Sequence, residues 1–181
     1  RGIPTPNIDL LAGRGARFLD CHAASSVCTP SRYGIITGRY PWRSPLQRGV
    51  LGGTDPSILE AGIPTIATRL KASGYHTGAF GKWHLGLDSP NTPNERGFDH
   101  FHGFLGDMMD DYWTHLRHGQ NFMRKNAEVI EPEGLGPPGQ RCHPLVVAVG
   151  RMDMPLTMRR KVIEHDRLEA GLTAAEVAVF L

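Results

Sequence analysis

The sequence predicts an α/β domain, on three observations: short helices opened by hydroxyl-proline pairs, glycine stops that close them, and short apolar strand-like runs between them. Thr5-Pro6 supplies a hydroxyl cap and a proline at the first helical position. Ile8, Leu11 and Ala12 then follow at helical spacing until Gly13 and Gly15, which predicts a helix over 6–13. Residues 16–21, Ala-Arg-Phe-Leu-Asp-Cys, are expected to enter a sheet as a strand, and the small polar residues 22–27 to form a loop leading to Cys28. Thr29-Pro30 repeats the cap-and-proline start, with Tyr33, Ile35 and Ile36 before a glycine stop at Gly38. Cys28 is thus expected at the mouth of a helix N-terminus.

Residues 41–64 are rich in Pro and Gly and are expected to make an ordered surface excursion rather than a core element. Ile66, Ala67 and Leu70 predict a helix over 65–73 closed by Gly74, and residues 75–80 then read as a strand. "GKWHLG" and "RGFDHFHGFLGD" follow. The Gly/Pro-rich break "GLGPPGQRCHPLVVAVG" separates an expected partial catalytic domain, 1–134, from a divergent tail, 135–181, whose end is expected to form one or two amphipathic helices. No internal repeat is evident.

The 181 residues suit one domain with its own core. Twenty Lys and Arg against 18 Asp and Glu, net charge +2, with no run of five like charges, argue against a nucleic-acid partner. No apolar stretch reaches the roughly 18 residues of a membrane span. Cys21, Cys28 and Cys142 are odd in number and lack C-x-x-C spacing, against both a disulfide framework and a structural zinc site.

A thiol at a helix start lies at the positive end of the macrodipole, where thiolates and bound oxyanions are favoured. Arg32, one turn on, can direct its guanidinium back towards Cys28. Taken alone, such a cysteine is a small apolar core residue, and Lys82 and His84 are a solvated charge and an ordinary polar histidine.

The string changes that balance. "CTPSRYGIITGR", residues 28–39, closely resembles the C-x-P-S-R-x4-T-G-R signature of the formylglycine-dependent, arylsulfatase-like sulfatases, and "GKWHLG", residues 81–86, is similar to the family's second signature. "TPNIDLLAGRGARF" and "RGFDHFHGF" are also similar to the family's surroundings. The resemblance covers residues 1 to about 134.

It implies an incomplete alkaline-phosphatase-like α/β fold and a sulfuric ester hydrolase. A separate formylglycine-generating enzyme would oxidise Cys28 to an aldehyde. One hydroxyl of the hydrated aldehyde would attack the sulfur of a sulfate ester, and loss of a proton from the other would expel sulfate and restore the aldehyde. Arg32 would hold the formylglycine oxygen, Lys82 would bind it and the sulfate, and His84 would serve as base. A divalent metal, usually calcium in this family, would take Cys28 as formylglycine for one ligand.

In the family the metal site opens with paired aspartates upstream of the first helix here, and further ligands and a leaving-group histidine come from beyond the second signature. No such pair stands before Arg1, and His143 does not match the leaving-group histidine. The chain is therefore expected to be an inactive, poorly folding N-terminal fragment. Family members are commonly periplasmic, secreted or lysosomal. Two other readings stand beside this one: a phosphonate monoester or phosphodiester hydrolase with the same nucleophile, and a non-catalytic remnant that binds anions or metal.

Trp83 is expected to pack, turned away from Lys82 and His84 by strand alternation. Asp107, Asp110 and Asp111 are expected to be solvated carboxylates rather than metal ligands. His22, His76, His100, His102, His115 and His118 have no assigned role.

Overall fold

The structure, a computed structural model, describes residues 3–15, 17–111, 114–131, 146–151 and 177–180. Helix α1 spans Pro6–Arg14, with Pro6 at its first position and Asp9 in its first turn. The expected strand at 16–21 does not form: residues 17–21 are irregular, and Phe18 and Leu19 are largely exposed. Strand propensity alone does not make a strand, and among the described residues no neighbouring chain is paired with this segment.

Helix α2 spans Cys28–Thr37 and closes at Gly38, which takes φ +68° and donates its N–H to the carbonyl of Gly34. Val27, not Thr29, is its N-cap, so Cys28 is the first helical residue rather than a residue ahead of the helix. The reason is tertiary: the Thr29 hydroxyl is buried and bonded elsewhere.

The segment 41–64 carries a 3-10 turn at Pro41–Arg43 and otherwise lacks regular structure, but it is not confined to the surface. Leu51, Ile58, Leu59 and Ile63 are buried, the first three in the main core cluster. Isolated apolar residues among Gly and Pro carry no periodicity, so their inward direction was hidden from sequence reasoning. Helix α3, Ile66–Ala72, begins with a reciprocal cap: Thr68 N–H donates to Thr65 Oγ1 at 3.1 Å and Thr65 N–H to Thr68 Oγ1 at 2.9 Å.

Strand β1, Tyr75–Lys82, runs parallel to β2, His100–Phe104, with Lys82 opposite Phe104. Their ends carry the site. A Cβ at Gly103 would stand 1.9 Å from the carbonyl oxygen of Gly81, so the two backbones can approach this closely only with glycine there.

Strands β3, Leu116–Arg117, and β4, Gln120–Asn121, form a separate hairpin. Strand β5, Met123–Lys125, pairs antiparallel with β2, and β6, Glu128–Val129, with β5. On the other side of β1 lies antiparallel β7, Val146–Arg151, followed by β8, Val177–Phe180. The mixed sheet therefore runs β6-β5-β2-β1-β7-β8. Residues 177–180 are thus strand, not the helix expected there. The remainder of the expected helical tail, with Cys142 and His143, lies outside the described residues.

Helix α3 packs on β1 and α2 on α3. Their shared core holds Tyr33 and Ile36 from α2, Ala67 from α3, and Ala79, Phe101 and Phe104 from the strands. Fully burying one such large side chain contributes about 2–3 kcal/mol.

Candidate active site

The site forms where the start of α2 meets the end of β1. Arg32 Nη1 donates to the main-chain carbonyl of Lys82, which ties the helix to the strand across fifty positions of sequence. The Lys82 ammonium interacts with the Cys28 thiol. The structure thus brings together Cys28, Arg32 and Lys82.

Both cations are held in an environment that disfavours their charge. Burial lowers the Arg32 guanidinium, against the opposing influence of Cys28. Burial likewise lowers the Lys82 ammonium, Cys28 opposes, and repulsion from Arg32 adds to the lowering. Arg32 Nε is buried with no hydrogen-bond partner. An unsatisfied buried donor costs about 1–3 kcal/mol, so the fold retains here a donor it does not itself use. The N-cap of α2 adds no side-chain acceptor, which leaves the positive helix end open to an anion.

His84 is arranged differently. The chain leaves β1 at Lys82, Trp83 N–H donates to the carbonyl of Phe104 and His84 N–H to that of Leu105, and His84 takes a left-handed φ of 55°. Trp83 is fully buried, edge-on to Phe98, with its Nε1–H donating to the Asn91 carbonyl at 2.9 Å. It packs, as the sequence led one to expect.

The imidazole of His84 is also buried, its Nε2 2.9 Å from the Leu51 carbonyl oxygen, which assigns the proton to Nε2. The Thr29 hydroxyl lies 3.3 Å from the ring and accepts the Leu51 N–H at 3.2 Å. Burial pushes the pKa of His84 down to about 4, the Leu51 carbonyl opposes this, and Lys82 lowers it further. The ring is neutral at pH 7, and it stands against Thr29, the neighbour of Cys28, rather than on Cys28 itself.

Thr29 and Leu51 are therefore site residues that sequence reasoning missed. In the sequence Thr29 has the look of a helix cap, and Leu51 acts through its backbone, which no side-chain pattern reports.

Asp107 lies beyond the end of β2 and lines a small recess with His84, Gly53 and Leu105. Arg117 grips both its oxygens, Nε to Oδ1 at 3.1 Å and Nη2 to Oδ2 at 2.9 Å, and reaches Asp110 with Nη1 at 2.6 Å. Burial would raise the Asp107 carboxyl, but the Met108 amide and Arg117 outweigh it and hold it below its usual range. Asp107 is thus a part-buried, ion-paired carboxylate rather than the solvated one expected. Its field reaches Lys82 and His84.

A family model, Sulfatase, matches residues 1–135 of the chain. The chain belongs to the sulfatase family. N-acetylgalactosamine-6-O-sulfatase of Bacteroides thetaiotaomicron is 43% identical over 108 residues, covering 54% of this chain and 21% of that protein. Arylsulfatase A of Bos taurus is 45% identical over 104 residues, 56% of this chain and 20% of that protein. Among solved structures, Ps i-CgsB in complex with k-i-k-neocarrahexaose aligns with TM-score 0.60 and 31% identity over 72% of this chain and 32% of that one. The chain spans about a fifth of the length of these curated relatives.

Sulfatase family membership implies the family's calcium and formylglycine. The described donors do not fit calcium. Among the described residues no group of three or more His, Cys, Asp or Glu is placed to hold a metal ion. Calcium takes six to eight oxygen ligands, whereas Cys28 faces Lys82 and Arg32, and Asp107, the carboxylate whose charge acts on Lys82, is engaged by Arg117. The same surroundings do fit a tetrahedral oxyanion beside Cys28. Among the described residues no helix is long and apolar enough to cross a membrane.

Proposed function

We propose that this chain carries the anion-holding and nucleophile-bearing part of a sulfuric ester hydrolase, with Cys28 as the precursor of formylglycine, made by a separate maturation enzyme. The observation that carries this reading is the buried, unpartnered Arg32 Nε beside a thiol that also faces Lys82. The identities to sulfatases support it.

Cys28, once converted to formylglycine, would supply as its hydrate one hydroxyl to displace the alcohol from the ester's sulfur, and a second whose deprotonation would release sulfate and restore the aldehyde. The rest is the work of this chain's own residues. Arg32 holds the formylglycine oxygen and lends its charge to the sulfate beside it, and Lys82 binds both, offsetting negative charge as it grows there, their part-buried setting strengthening each contact. The start of α2 adds its unpaired amides to the same anion.

His84, neutral and buried, is available to accept a proton. The Leu51 carbonyl fixes its tautomer and leaves Nδ1 as the basic atom.

The test is mass spectrometry of the peptide bearing Cys28 after co-expression with a formylglycine-generating enzyme. Loss of the thiol and a new hydrazide-reactive aldehyde are expected; a fully retained thiol overturns the reading. Inorganic sulfate titrated into the chain is expected to shift the amides of Cys28, Thr29, Ser31, Arg32 and residues 82–84. If kinetics on matched esters of the assembled catalytic unit favoured phosphodiesters over sulfates, the reaction would be reassigned while the nucleophile stayed.

A further inference from the structure

Arg96, ahead of β2, is buried, and every hydrogen-bond acceptor it has among the described residues is neutral. A buried cation without a counter-charge is costly, so its presence calls for an account beyond packing. Its guanidinium clasps two segments that are distant in sequence. Nε donates to Asn91 Oδ1 at 3.0 Å and Nη2 to the same oxygen, while Nη1 reaches the carbonyl of Glu60 at 3.2 Å and Nη2 that of Leu59.

Each clasped segment in turn holds a neighbour of His84. From one, the Asn91 carbonyl accepts the indole N–H of the fully buried Trp83 at 2.9 Å. From the other, the Ser57 hydroxyl accepts the Leu59 N–H at 3.0 Å and donates to the carbonyl of Leu85. The two segments meet over the turn itself: a Cβ at Gly86 would stand 2.6 Å from that of Asn91 and 3.1 Å from that of Ser57. His84 thus lies between two pinned residues. Its left-handed φ of 55° costs about 1–3 kcal/mol and persists only where the surroundings enforce it.

We propose that Arg96 is a positioning residue for His84: its forked guanidinium, acting through Asn91 and Trp83 on one side and through Leu59, Ser57 and Leu85 on the other, holds the imidazole against Thr29. The inference rests on the reading of His84 as the base in the proposed function. A base must lie within hydrogen-bond reach of the proton it takes, and the backbone that carries the ring sets that reach. A planar fork spans acceptors from two segments at once, which a point-charge ammonium does not.

The experiment follows the His84 ring by NMR in the labelled chain between about pH 7 and 5.5, with deuterium exchange of the Trp83 indole and a sulfate titration on the same samples. Held in its buried place, with a pKa of about 4, the ring of the unsubstituted chain is expected to stay silent across this window. Arg96→Met, similar in size and uncharged, is expected to release the ring towards solvent. Its titration midpoint then rises by about one unit or more, and exchange of the indole N–H quickens about tenfold. Arg96→Lys restores the charge without the fork and is expected to do the same. Inorganic sulfate stays within about twofold in both, because Arg32 holds the Lys82 backbone independently.

Ser57→Ala cuts one arm alone, so it is expected to move the ring and leave the indole unchanged; it carries the test where Arg96→Met fails to fold. Leu70→Ala lowers stability by opening the core at α3 without touching the clasp, and both signals are expected to stay as in the unsubstituted chain.

A silent ring in folded Arg96→Met or Ser57→Ala, full rescue by Arg96→Lys, or equal changes from Leu70→Ala overturns the inference and leaves the proposed function standing. Sulfate that fails to bind the unsubstituted chain would instead remove the proposed function, while the ring still reads the clasp.

Discussion

Two charged clusters lie near one another at the ends of the parallel strands, and they handle charge in opposite ways. Around Asp107, Arg117 pairs with two carboxylates, and those charges are consumed inside the protein. Around Cys28, Arg32 and Lys82 lie half-buried beside each other and a thiol, and Arg32 keeps a buried donor unpaired. The first arrangement serves the fold. The second costs the fold and awaits a ligand, as expected where function and stability compete.

The comparison can be broken at its shared support. Trp83→Ala, removing the fully buried ring between Lys82 and His84, is expected to lower stability by about 3–5 kcal/mol in urea unfolding and to disorganise both clusters. A loss below ~1 kcal/mol would mean that the clusters stand without it.

The next largest effect separates the two by pH. His84 has a folded pKa of about 4, below the usual value of 6.5, so the unfolded chain binds a proton that the folded chain does not across that window. Stability therefore falls as pH drops from 6.5 to 4, by on the order of 3 kcal/mol, and this contribution flattens below 4. His84→Gln should remove that slope in urea midpoints measured at successive pH values; an unchanged slope would reassign it to the carboxylates.

Arg32→Met is expected to weaken inorganic sulfate at least tenfold by calorimetry while lowering stability by no more than about 1–2 kcal/mol, because the lost bond to the Lys82 carbonyl is partly offset by removal of an unsatisfied buried donor. Arg117→Ala should do the reverse, lowering the urea midpoint by stranding Asp107 while sulfate affinity stays within about twofold. If both substitutions acted alike on sulfate, the distinction between the clusters would be lost.

Smallest is Lys71→Ala, which removes the exposed 2.6 Å pair with Asp99 on the far end of β1; about 0.5 kcal/mol is expected, declining in high salt.

The legible parts of the fold were those written locally. Gly38 and Gly74 marked two helix ends, which they close with positive φ, Ile66, Ala67 and Leu70 marked α3, and Pro6 opened α1. Cys28, Arg32, Lys82 and His84 were legible through two signatures, although spacing alone could not say that Arg32 would bond the backbone of Lys82. The strand expected at 16–21 had suitable residues and, among the described residues, no strand paired with it. Leu51 could not be read at all as a site residue, because its contribution to His84 is a carbonyl oxygen brought from thirty-three positions away.

By itself, then, the sequence determined the starts of α1 and α3, the glycine stops after α2 and α3, and the family, since all of these depend on neighbours along the chain or on a motif. Only the tertiary structure decided that Thr29 would serve His84 instead of capping α2, that the 41–64 loop would fill the core, and that Asp107 would be neutralised by Arg117 beside a site whose own cations are not. Those outcomes depend on burial and on hydrogen-bond partners distant in sequence, and neither exists until the chain has folded.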